Sequence, residues 1–377
     1  MASAHYSHMG MIFRALTHPL YKSIAKPIFF RRDPEDVHDG MTKLGAFLGR
    51  HAITRAFTRF AFAYQNPRLT QTIHGITFPN PVGLAAGFDK NAELVDIMGA
   101  VGFGWVEVGS MTGEPCPGNA KPRLWRLPKS QSLMVYYGLK NDGAEALAKK
   151  LHGRAFDIPV GASVAKTNSP DACTTEAGIA DYAKAFRLME PVAKHMTVNI
   201  SCPNTFGGEP FADPIRLEAL LKELDTIPTE KPVFLKLPAD ISLPELDALV
   251  EVAKKHRVHG LISSNLTKDR TNPNIKDVNV PDKGGMSGKL SEPNANKQLE
   301  HLARTTNKRF ILVGVGGIFS AEDAYKKIRL GASLVQLITG MIFEGPQLIG
   351  DINAGLAKFL ERDGFKNISE AVGADIK

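Results

Sequence analysis

Val233-Phe234-Leu235-Lys236-Leu237, then Leu243, Leu246, Leu249, Val250 and Val252 at helical spacing, then Leu261-Ile262-Ser263, make residues 233–263 a strand, an amphipathic helix and a second strand. The alternation extends both ways. Val82-Gly83-Leu84-Ala85-Ala86, Trp105-Val106-Glu107-Val108, Val160-Gly161-Ala162-Ser163-Val164 and Val198-Asn199-Ile200 precede it, and Ile311-Leu312-Val313-Gly314-Val315 and Leu334-Val335-Gln336-Leu337 follow. Each run is strand-sized, and segments of helical periodicity such as Leu217-Leu220-Leu221-Leu224 lie between them. Eight βα units predict an α/β fold, a (β/α)8 TIM barrel whose active site sits on the loops after the strands' C-terminal ends. An open doubly wound sheet is the alternative arrangement of the same units.

Outside the eight units the pattern changes. Residues 70–80, with Thr72-Ile73-His74-Gly75-Ile76-Thr77-Phe78, read as a small hairpin capping the barrel's lower end. Before it, residues 12–64 read as a separate helical piece. Leu16, Leu20, Ile24 and Ile28 recur at helical spacing, and Leu44, Phe47, Leu48, Ile53, Phe57, Phe60 and Phe62 follow among arginines. Such faces suit either a helical cap packed on the barrel or the interface of an anionic membrane. Residues 1–10 lack the apolar core of a signal peptide and read as a tag or disordered start.

Composition limits the function classes. In 377 residues, 43% hydrophobic and 23% charged, no apolar run approaches the roughly 20 residues of a spanning helix, which indicates a globular enzyme. The net charge is +7, and much of the early excess lies in Arg31, Arg32, Arg50, Arg55, Arg59 and Arg68. That placement favours a lipid surface or an anionic ligand over a nucleic-acid face. Cys116, Cys173 and Cys202 are odd in number and widely spaced, so neither a disulfide framework nor a metal site is expected.

Chemistry concentrates at the strand ends. Gly314-Val315-Gly316-Gly317, with Gly331 and Thr339-Gly340, puts glycine after strands seven and eight, where a barrel forms its phosphate site. Lys236 sits inside an apolar run and Lys90 follows Gly87-Phe88-Asp89. Each can face a flavin ring or a carboxylate substrate, or extend its head to water. Asn199, Asn204 and Asn265 add amides at strand tips, which bind small polar rings but also form turns. In Asn199-Ile200-Ser201-Cys202-Pro203-Asn204 a thiol stands between two amides where a strand ends. His74 and His195 read as packing or surface residues, and spacing shows neither a Ser-His-Asp triad nor paired carboxylates. Cys202 is thus the best available proton acceptor, provided that lysines or oriented amides stabilise its thiolate. A proton acceptor beside a phosphate corner points to flavin redox chemistry.

His74-Gly75-Ile76-Thr77-Phe78-Pro79-Asn80-Pro81-Val82-Gly83-Leu84-Ala85-Ala86-Gly87-Phe88-Asp89-Lys90 resembles the first-strand signature of the dihydroorotate dehydrogenases. Gly102-Phe103-Gly104-Trp105-Val106-Glu107-Val108-Gly109, Pro117-Gly118-Asn119 and Lys121-Pro122-Arg123-Leu124-Trp125-Arg126-Leu127 add to the likeness. Phe30-Arg31-Arg32-Asp33-Pro34-Glu35-Asp36-Val37-His38 resembles the N-terminal extension of the quinone-using class, in which it forms a helical quinone tunnel on the membrane. The resemblance divides the chain into an extension, 11–69, and an FMN-binding barrel, 70–377. It implies oxidation of dihydroorotate to orotate in pyrimidine (UMP) synthesis, and reoxidation of FMN by ubiquinone or menaquinone. The expected setting is peripheral, on the cytoplasmic face of a bacterial inner membrane rather than in a mitochondrion.

The resemblance also implies roles. FMN falls to Ala85, Ala86, Gly87, Lys90, Ser110, Ser163, Asn199, Lys236, Ser264, Gly288 and Gly317, with Ile338 and Thr339 near its phosphate. Substrate falls to Lys90, Gly138, Leu139, Asn199, Asn204 and Asn265, quinone to Arg126, and proton abstraction from C5 to Cys202. The chain departs from the family at several of these places. Cys202 stands where the quinone class has serine, and cysteine there resembles the soluble classes that use fumarate or NAD. Val135 replaces a substrate-binding asparagine, Leu266 a threonine, and Ser110 and Ser163 a threonine and an asparagine, while residues 206–210 also differ. An FMN oxidoreductase using another cyclic substrate or a soluble acceptor is therefore the alternative. A non-catalytic membrane-surface protein that kept the barrel is a third reading.

Overall fold

The computed structural model describes residues 2–376, with side chains from residue 10 onward, so the stretch 1–10 set aside from the sequence lies largely outside the described side chains. Eight parallel strands close into a barrel: Val82–Leu84, Trp105–Met111, Val160–Val164, Met196–Asn199, Val233–Lys236, Gly260–Ser263, Ile311–Val315 and Leu334–Leu337. The eighth pairs with the first, Val335 opposite Val82 and Leu337 opposite Leu84. Closure excludes the open sheet. All eight apolar runs read from the sequence become these strands, and helices such as Pro214–Asp225 and Leu243–Lys255 return the chain between them. The second of those helices starts where Ser242 and Glu245 form a reciprocal capping box.

Alternation along each strand sends one set of side chains outward, under the helices, and the other into the barrel. Successive inward layers come from alternate strands. At the bottom, Trp105 and His195 face each other at 5.5 Å, and Phe234 is 5.3 Å from His195. Glycine makes room for them. A Cβ at Gly83 would lie 2.2 Å from the Trp105 ring, and one at Gly161 would lie 2.0 Å from His195 Nε2. Burial among these rings pushes His195 down to about 4, so it is a neutral packing residue. Above it lies a layer from the even strands, Glu107, Thr197, Ile262 and Gln336, every one fully buried. The odd strands then supply Ala85, Ser163, Lys236 and Val315. Gly109, Asn199, Ser264 and Ile338 face the open C-terminal mouth.

The hairpin forms as expected, from Gln71–Ile73 and Ile76–Phe78, and plugs the bottom with Phe78 at 6.0 Å from Trp105. At the opposite end a three-stranded antiparallel sheet, Leu124–Leu127, Ser132–Val135 and Gly285–Met286, stands over the mouth.

The helices Ala2–Leu20, Lys26–Phe30, Pro34–Arg50 and Ala52–Phe62 precede the barrel. Asp33 opens the third of these by accepting from the Glu35 and Asp36 amides at 2.9 and 3.0 Å, with Pro34 preset in the first turn. This region packs on the barrel, as the cap reading has it. Arg14 pairs with Asp351 at 3.1 Å, Lys22 with Glu344 at 2.6 Å and buried Glu35 with Arg123 at 2.9 Å, which docks the helices on the barrel. The opposite face leaves Leu16, Ile24, Ile28, Phe47, Ile53 and Phe57 exposed, Ile53 at 84%. No described helix is long and apolar enough to cross a membrane.

Candidate active site

The strand ends, the overlying sheet and the helix Pro34–Arg50 line one cavity. Its wall brings together Ala86, Gly87, Lys90, Ser110, Gly138, Leu139, Asn199, Cys202, Asn204, Lys236, Asn265, Ile338 and Thr339, all singled out from the sequence. A contiguous lobe shares Lys236, Asn265 and Thr339 and adds Ala85, Ser264, Gly288 and Gly317. Two expected residues lie off these walls. Ser163 stands behind Ser110, Oγ to Oγ at 2.7 Å. Arg126 sits at the outer edge, donating to the Arg32 carbonyl at 2.8 Å with its guanidinium 4.8 Å from the Phe30 ring.

The asparagines are fixed by a network. Asn199 donates to Ser110 Oγ at 2.8 Å and accepts from the Ser201 amide and hydroxyl at 3.1 and 2.8 Å. Asn265 donates to the Ser201 carbonyl at 2.7 Å and its hydroxyl at 2.9 Å. Asn204 donates to the Val135 carbonyl at 2.9 Å, while its buried Oδ1 has no partner among the described residues. An acceptor left unmet on a cavity wall costs about 1–3 kcal/mol and suits a ligand N–H. The backbone of Val135 thus anchors Asn204 even though its side chain offers no amide.

Two lysines face the same space, Lys236 buried and Lys90 half-buried. Lys90 lies 4.0 Å from the Tyr137 ring centroid and 3.4 Å from His38 Nε2, and makes no carboxylate ion pair among the described residues. Burial, aided by Lys140, pushes it down to about 8. His38 is driven down to about 3, by burial first and then by Lys90 and Lys140, so it is neutral. Lys236 is likewise lowered by burial, and Glu107 is the main charge opposing that shift.

Cys202 stands half-buried beside them. Its thiol reaches the cavity, but the condition that lysines or amides hold it as thiolate is not met, because burial pushes it up to about 11. The Asn204 N–H, Lys236 and Lys268 pull down while Glu209 adds to the rise, and desolvation wins.

A flat heterocycle with a phosphate tail fits these residues. A Cβ at Gly87 would meet nothing within 4 Å, so the wall is open there, and Lys90 and Lys236, with no carboxylate in contact among the described residues, suit an electron-rich partner. The second lobe, walled by Gly316, Gly317 and Thr339, lies after the last two strands, where a barrel can seat an anion.

Sequence reasoning missed His38, Tyr137, Ser287, Glu107 and Gln336. The first three lie on loops or on the extension, where no periodicity marks them. The last two are polar residues inside apolar runs, the same signal that exposed Lys236.

Comparison with known proteins agrees. A family model described as dihydroorotate dehydrogenase matches residues 68–360. The chain is 39% identical over 356 residues to the dihydroorotate dehydrogenase (quinone) of Gloeobacter violaceus, covering 94% of this chain and 98% of that one. It is 39% identical over 367 residues to the same-named protein of Deinococcus deserti, covering 94% and 100%. The crystal structure of DHODH from Eimeria tenella in complex with ferulenol superposes with a TM-score of 0.82 at 28% identity, covering 91% of this chain and 96% of that one. The chain belongs to the dihydroorotate dehydrogenase family.

Proposed function

We propose that this chain oxidises dihydroorotate to orotate in pyrimidine synthesis and passes the two electrons through FMN to a quinone. The observation that carries the reading is the convergence on one cavity of Cys202, the three fixed asparagines and two lysines, Lys90 and Lys236, without carboxylate contacts among the described residues. The glycine corner and Thr339 hold the phosphate, Lys236 and Lys90 face the ring system, and Asn199 and Ser110 border it. Asn204 and Asn265 hold the substrate's amide edges, with Asn204 Oδ1 accepting an N–H, and Gly138 and Leu139 close the cavity from the side.

Cys202 takes the proton from C5 as the C6–H bond breaks and the C5=C6 double bond forms. Bound FMN supplies the two-electron acceptor for the hydride from C6. Because burial favours the thiol, Cys202 acts through its minor thiolate form and loses the acquired proton to solvent afterwards. The extension supplies the path for ubiquinone or menaquinone, with Arg126 at its edge. Its exposed apolar face seats the protein peripherally on the cytoplasmic side of a bacterial inner membrane.

Anaerobic mixing with dihydroorotate tests the reading. The flavin absorbance is expected to bleach and to recover on adding a short-chain quinone; recovery with fumarate or NAD instead would remove the quinone assignment. A second reading, another cyclic substrate on the same flavin, draws on Leu266 and Val135, which present apolar side chains to the cavity. It is rejected if dihydroorotate turns over at ordinary enzyme rates, about 1–1,000 per second.

A further inference from the structure

Charge and amide groups are out of place in the centre of the barrel. Layers there are filled by branched apolar side chains as a rule, yet Glu107 and Gln336 lie in one layer, each fully buried. The Gln336 amide donates to Glu107 Oε2, while Glu107 Oε1 and Gln336 Oε1 have no partner among the described residues. The next layer toward the mouth contains Lys236, whose head lines both lobes of the cavity and makes no ion pair closer than 4 Å among the described residues.

We propose that Glu107 is a positioning residue: its carboxylate, held by Gln336 beneath Lys236, offsets the lysine's charge and thereby sets the electron affinity of the flavin above. The inference rests on the flavin reading. A carboxylate enclosed without a counter-charge is strongly disfavoured, and so is an ammonium, whereas the two stacked along the barrel axis support each other. Burial drives each group toward neutrality, and each is the largest charge acting against that drift in the other. Lys236 therefore presents a partly neutralised cation to the ring. Without Glu107 the floor becomes more positive, and the reduced, electron-rich flavin gains.

The test compares purified holoenzyme of wild type, Glu107→Gln, Lys236→Met and the double variant by the midpoint potential of the bound flavin, FMN dissociation and thermal melting. E107Q is expected to raise the potential, K236M to lower it, and E107Q to change nothing further once Lys236 is gone. An unchanged potential in E107Q, or an equal rise in the K236M background, overturns the proposal. Should E107Q fail to accumulate, the double variant decides, since removing the stranded ammonium restores folding if the two are paired; a double variant no better than E107Q overturns it. A wild-type chain that binds no flavin would fail earlier and would reject the flavin reading itself.

Discussion

The barrel and the helical extension treat apolar side chains in opposite ways. In the barrel they are buried under helices, and the polar groups are drawn inward, Glu107, Thr197 and Gln336 in the middle and Lys90, Asn199 and Lys236 near the mouth. In the extension the polar contacts, Arg14–Asp351 and Glu35–Arg123, tie the helices down while leucine, isoleucine and phenylalanine stay exposed. One region encloses a reaction centre and the other displays an apolar face on a cationic background. Under the proposed function the contrast gives the two half-reactions two places, substrate oxidation at the strand ends and electron delivery where the extension meets them.

The largest effect that could break this division is at the base. Cys202→Ala is expected to slow flavin reduction by dihydroorotate about a thousandfold, with Cys202→Ser retaining part of the rate, as read by anaerobic stopped flow. Reoxidation of chemically reduced C202A by quinone should match wild type. Undiminished reduction in C202A would remove the thiol from the chemistry.

Next in size is the pH profile of the same step. With the thiol held up to about 11, its thiolate fraction grows about tenfold per pH unit below that value, so reduction should accelerate as pH rises from 6 to 9 while quinone reoxidation stays flatter. A reduction rate independent of pH across that range contradicts the assignment.

A smaller effect concerns the seam between the regions. His38 belongs to the extension yet touches Lys90, and its folded value near 3 lies below the unfolded value of about 6.5. Below pH 6.5 the unfolded chain takes up a proton that the folded chain refuses. Stability is therefore full above 6.5 and falls toward pH 3, by up to about 1.4 kcal/mol per pH unit. In His38→Asn that slope is expected to shrink in denaturation titrations; an unaltered slope would show that His38 is not enclosed at the seam.

The same division explains what was legible in the sequence. Barrel strands announce themselves because both of their faces are buried, so Val233-Phe234-Leu235-Lys236-Leu237 is almost wholly apolar and its one lysine stands out. Glycines at the mouth are legible because phosphate corners need them. Loop residues carry no such period. His38 and Tyr137 reach the cavity only through the packing of the extension and the overlying sheet, which no local pattern encodes. The state of Cys202 is not legible in the sequence for a related reason. Neighbouring cations could be counted from the chain, but the desolvation that outweighs them depends on how tightly the loop 200–205 is enclosed.

The division itself is tested most directly by the reoxidation rate of pre-reduced Ile53→Asp/Phe57→Asp enzyme on vesicles carrying a long-chain quinone, set against its rate with a short-chain soluble quinone. Two charges on the exposed face should weaken vesicle binding at least about tenfold and slow the vesicle reaction in proportion, leaving the soluble-quinone rate and dihydroorotate oxidation as in wild type. Equal loss with both quinones, or no loss on vesicles, would contradict the account.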